Sequence, residues 1–251
     1  MSLSPLDWML ICTGALLVGL GKGGLVGVGN LTVILFAMVF PAKASVGLLL
    51  PVLIAADIVA ITVYRRHAHW GYLWRLLPWM GIGILIGYFL FGVLSDLVVK
   101  RFIGGIVLAM TLIQIARLLA KRFGKADFAE NLPHSLGFRS ILGVLGGFAT
   151  MVANAAGPVG QLYFISVGLP KMVFIGTAAW CFFIVNVVKV PLQAHLGIIN
   201  MDSLQISLTL APVAMLGAWV APRVVQFIPQ QLFTFAVWFF IVLAGGKLMF
   251  F

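Results

Sequence analysis

Long runs with almost no charge recur along this chain, and they decide its fold class. Ala44–Val63 carries one charged residue, Asp57, while Leu76–Ser95, Met172–Val188, Ser203–Pro222 and Phe227–Gly246 carry none. Phe102–Ala116 is shorter and ends against Lys100, Arg101 and Arg117. About 20 apolar residues suffice for a helix to cross the hydrocarbon core of a bilayer. With 63% hydrophobic and 9% charged residues, against roughly half and a quarter in a soluble domain, the chain has more apolar surface than one core can hide. The reading is an all-α polytopic membrane protein whose first partner is the lipid bilayer. The opening MSLSPLDW lacks the positive region of a cleavable signal peptide, so the first apolar segment is expected to stay.

Two segments break the length rule. Asp7–Phe40 and Arg139–Pro170 span 34 and 32 residues. As one helix each would run about 50 Å, too long for one crossing and too short for two. Each is therefore expected to be a pair of short helices around a non-helical patch, giving about eight membrane segments in all. The first patch is GLGKGGLVGVGN, Gly19–Asn30, with six glycines around Lys22; the second is NAAGPVG, Asn154–Gly160. Glycine and proline weaken a helix at such points.

The two halves repeat. At an offset of 129, Gly14 matches Gly143, Leu16 matches Leu145, Pro41 matches Pro170, Gly47 matches Gly176, and Asp57 falls opposite Asn186. The order of features repeats too. We read repeats at 1–120 and 139–251, joined by a polar cytoplasmic linker at 121–138. If each broken segment enters and leaves on one side, the repeats are inverted, and ten basic residues face the cytoplasm against four outside. If each crosses once, the split is nine against five. Charge counting does not choose between them.

Polar residues at membrane depth indicate function. Gly19, Gly21 and Gly24 form a G-x-G-x-x-G string, but no βαβ unit or suitably spaced acid accompanies it. A P-loop fails because Gly23 follows Lys22. The same physics works without a nucleotide: a broken helix exposes N–H groups and a dipole end, and glycine lets an anion approach them. Gly21, Lys22, Gly23, Gly24, Asn154, Ala155, Gly157 and Pro158 are candidate substrate-binding positions, in two breaks expected to meet near the midplane. The competing explanation is that the glycines serve close helix packing and Lys22 reaches for the interface. Asn30, Gln161 and Trp180 are candidate pathway residues, as are Asn186 and Lys189, which share a helix face. Asp57 is open to a structural pairing with Asn186, Lys22 or Lys189, or to proton coupling. His67 and His69 read as interfacial, and no metal site, cofactor motif, nucleic-acid face or hydrolase motif is visible. The oligomeric state stays open, a homodimer included.

GALLVGLGKGGLVGVG resembles the first glycine motif of the TauE/SafE sulfite exporter family, the toluene sulfonate uptake permeases. GFATMVANAAGPVGQLYFISVGLPK and GTAAWCFFIVNVVKVPL are similar to its second-half motif. The resemblance runs from Gly14 to about Lys247 and matches Gly19, Gly21, Gly23, Gly24, Asn154, Gly157, Pro158, Asn186 and Lys189. Lys22 between the glycines, and the lack of a Gly-x-Gly-Gly string in the second half, make the halves chemically unequal. The resemblance implies a multi-pass carrier, in the bacterial inner membrane, for a small anion such as sulfite, another sulfur oxyanion or an organosulfonate. A carrier of another organic acid is the nearest alternative; a membrane-embedded enzyme or assembly factor is the alternative from a different class.

Overall fold

The computed structural model describes residues 3–24, 29–122 and 136–224. Every regular element among them is helical: α1 (Pro5–Lys22), α2 (Gly29–Val39), α3 (Ala42–Tyr64), a 3-10 turn (Arg65–His67), α4 (Trp70–Val93), α5 (Asp96–Arg122), α6 (Leu136–Ala153), α7 (Gly157–Ser166), α8 (Lys171–His195) and α9 (Met201–Val224). Six of these, α1, α3, α4, α6, α8 and α9, are long and apolar enough to cross a membrane. The expected span Phe102–Ala116 lies within α5, a 27-residue helix with charged ends. That helix is not among the six. Phe227–Gly246 and most of the linker fall outside the described residues.

Charge and apolar surface are distributed as lipid requires. Phe89, Val93, Met201 and Leu208 point outward, while Asp57 and Lys189 are wholly buried. Large apolar side chains outside and ions inside invert the soluble pattern.

Both broken segments fold back on themselves. Thr32 donates its hydroxyl proton to the Gly14 carbonyl oxygen at 3.2 Å, and the Phe36 ring fills the space a Gly14 side chain would take. In the second half Val159 lies against Gly146, whereas a straight helix would hold these positions about 20 Å apart. The hairpin version of each segment, which the charge count left open, is the one adopted.

Helix partners exchange between halves. α1 packs most extensively on α9, and α6 on α4. Small residues let these backbones meet without a hydrophobic drive in lipid. A side chain at Gly19 would strike the Ala218 backbone nitrogen, and one at Gly147 the Met80 backbone. Helices α3 and α8, which the sequence offset of 129 sets against each other, run antiparallel. Gly47, early in α3, sits on Ile198 just beyond α8; Gly176, early in α8, sits on His67 just beyond α3. Between these ends Asn186 donates an amide N–H to Asp57 Oδ2 at 2.7 Å. The two residues aligned at an offset of 129 thus touch where these two antiparallel helices cross, as an inverted repeat would require.

Candidate functional site

The polar interior begins where α1 ends. Gly23 caps the helix, its N–H bonding to Gly19 O at 2.8 Å, and Gly24 takes φ 125°, a conformation closed to most side chains. Tyr64 donates its phenol proton to Gly23 O at 3.1 Å, fixing the break to the end of α3. This geometry turns Lys22 inward. Its Nζ stands 2.7 Å from Asp57 Oδ1 and 4.8 Å from the centre of the Phe182 ring. Asp57 is 0% exposed and Lys22 17%, so the lysine is the accessible end of the pair.

The second cluster forms where α6 ends. Asn154 adopts a left-handed φ of 51°, which asparagine tolerates better than most residues. Its N–H is taken by Thr150 O at 3.0 Å, and the Ala155 N–H by Ala149 O at 3.3 Å. Lys189 reaches in from α8 and donates to Thr150 O at 3.0 Å, Thr150 Oγ1 at 2.9 Å and Asn154 Oδ1 at 2.7 Å. All three ammonium protons meet neutral oxygens, so a protonated Lys189 has its hydrogen bonds but no carboxylate against it. Asn154 Nδ2 donates to Val46 O at 2.8 Å.

These contacts change the expected picture in two ways. The breaks do not meet at the midplane. One is tied to Tyr64 and the other to Val46, 18 residues or about 27 Å apart along α3, so they lie towards opposite ends of the α3–α8 pair. The side-chain amide of Asn154 is also committed, and so is the N–H of Ala155. The backbone N–H groups of Ala156 and Gly157 head α7 instead, and a Cβ added at Gly157 would meet nothing within 4 Å.

The glycine string divides by role. Gly19 and Gly23 are packing positions, since a Gly23 side chain would strike Ala218 O and Ala221 on α9. Gly24 supplies the turn, and Gly21 O accepts the Gly24 N–H at 3.4 Å. Trp180 meets Trp70 in a tilted ring contact with centroids 5.2 Å apart, and its indole N–H is buried with no partner among the described residues. Asn30, Pro158 and Gln161 lie on described helices, but their side chains fall outside the described set. Asn186 and Lys189 do face one interior, joined to Asp57 and to Asn154 respectively.

Sequence reasoning missed Tyr64, Thr150 and Gln193. The signal for Gln193 was present: it lies four residues after Lys189, on the same face. Both of its polar side-chain atoms are buried without a partner among the described residues. Nothing local marked Thr150 or Tyr64, whose contacts come from other helices.

No curated protein and no solved structure matches the chain. A family model described as "Sulfite exporter TauE/SafE" matches residues 11–248, which takes in both broken segments and both ionic clusters. On that match the chain belongs to the TauE/SafE sulfite exporter family.

Proposed function

We propose that this protein is a secondary carrier of a small sulfur oxyanion or organosulfonate, working by alternating access in the bacterial inner membrane. One observation carries the reading. The interior ion pair is accessible at its cationic end, Lys22 being partly exposed and Asp57 wholly buried. An anion that reaches the ammonium can take the carboxylate's place there, while Asp57 keeps the Asn186 amide.

Lys22 is the binding residue in this reading, because it alone of the ionic cluster is partly exposed. The arriving anion replaces the Asp57 carboxylate at the ammonium. Asp57, left buried with only Asn186, takes a proton. Proton and anion then move together, and the interior never holds an unpaired carboxylate. Gly24, where an added Cβ would meet only the Tyr64 hydroxyl at 4.0 Å, leaves room at the turn beyond Lys22, and Phe182 walls the ammonium. Lys189, Asn186 and the N-terminus of α7 form the far side of the path. The hairpin breaks sit towards opposite ends of the α3–α8 crossing. Rocking of one repeat on the other about that crossing would open each in turn.

Counterflow in proteoliposomes tests this. Vesicles loaded with unlabelled sulfite should accumulate labelled sulfite, and Lys22→Gln should lose at least nine-tenths of the rate. Labelled sulfite and sulfonates that stay outside under every gradient would end the proposal.

A further inference from the structure

A second cationic site shares no lining residue with the Lys22 cluster. A cavity of about 190 Å³ opens between the start of α4, the start of α6 and the end of α7, lined by Tyr72, Arg75, Arg139, Tyr163 and Ser166. Arg139 Nε is buried without a hydrogen-bond partner among the described residues. The Arg75 guanidinium lies 5.8 Å from the centre of the Tyr72 ring. Ser166 spends its proton on Tyr163 O at 2.8 Å, so the donors available to a ligand are two guanidinium groups and two phenols.

No acid among the described residues neutralises these arginines. Asp7 closes a capping box with Ser4, Asp57 holds Lys22, Asp96 caps α3 and Asp202 starts α9. Guanidinium forks with hydroxyl donors suit an oxyanion with several oxygens. The volume is far above that of one water.

We infer that this cavity binds a sulfur or phosphorus oxyanion or a sulfonate head group, as a station separate from the Lys22 site. It stands on the arginine-rich face, beside the Arg65–His67 turn's side of the bundle, where α7 ends. The other end of α7 starts at the Asn154 break, so an occupant would tie α7 to α4 and α6. Free substrate anion and the phosphate of an anionic lipid share this chemistry.

Equilibrium binding of labelled sulfite to the full chain in nanodiscs tests the assignment. In phosphatidylcholine the wild type should bind two equivalents, and Arg75→Gln/Arg139→Gln should lose one or weaken it at least tenfold. Phosphatidylglycerol that displaces this equivalent from the wild type identifies a lipid head group; indifference to it identifies the free anion. If the central reading is wrong but this one right, the wild type binds one equivalent, untouched by Lys22→Gln and lost in the arginine variant. Should the double variant not fold, Tyr163→Phe removes one hydroxyl and should weaken the same equivalent about threefold. Variants with wild-type elution and unfolding temperature whose isotherms match the wild type in both lipids would overturn the inference.

Discussion

Replacing Lys22 with glutamine should destabilise the protein far more than replacing Asp57 with asparagine. The two partners are unequally buried, 17% exposed against 0%. At 2.7 Å and an effective dielectric of about 20, their gross attraction is about 6 kcal/mol, much of it offset by desolvation. Lys22→Gln strands a fully buried carboxylate with one amide donor, Asn186; breaking a buried pair this way costs about 3–5 kcal/mol. Asp57→Asn leaves a lysine with some access to solvent and the face of Phe182, and should cost about 1–2 kcal/mol. The double variant leaves no orphaned charge and should land within about 1 kcal/mol of Asp57→Asn alone, a coupling of about 3 kcal/mol. Equilibrium unfolding in mixed micelles, with the detergent held fixed, measures all four corners of the cycle. Costs that add within about 0.5 kcal/mol, or a lysine variant no worse than the aspartate one, would refute the reasoning.

Other outcomes follow from the same contacts. Asp57→Asn should keep anion counterflow but lose its response to a proton gradient, read by varying external pH; an unaltered response ends the coupling proposal. Gly147→Val should push α4 and α6 apart, since the Met80 carbonyl carbon lies 2.8 Å from the site of an added Cβ. Its cost should be about 3 kcal/mol or more, while Gly105→Ala, with nothing within 4 Å, should be neutral or mildly stabilising; comparable unfolding temperatures would contradict this. Asp96→Ala removes acceptors from the Ala42 and Lys43 N–H groups at 3.1 and 2.8 Å. It should cost about 1–2 kcal/mol of stability and leave sulfite affinity unchanged.

Length and hydropathy made α3, α4, α8 and α9 legible, because lipid imposes one span length on any crossing helix. The breaks were legible from Gly and Pro in segments too long for one span, and the 129-residue offset picked out Asp57 and Asn186 before their contact was seen. Family membership was legible from the two motifs. The depth of each break was not, because it depends on which residues of α3 hold it: Tyr64 through a side chain and Val46 through a backbone carbonyl. A carbonyl carries no sequence signal. The same limit explains Asn154, read as a donor to substrate but spent on Val46 and Lys189. It explains Gly19 and Gly23 too, since only the position of α9 separates a packing glycine from one that bares its amide.

Infrared difference spectroscopy on sulfite addition, comparing wild type with Asp57→Asn, puts the exchange at Lys22 to its most direct trial. Displacement of the carboxylate by the anion predicts that a protonated carboxyl stretch appears on binding in the wild type and is missing from the variant. Saturable binding with the carboxylate bands unmoved would mean that the anion sits elsewhere and that Lys22 and Asp57 are merely a structural pair.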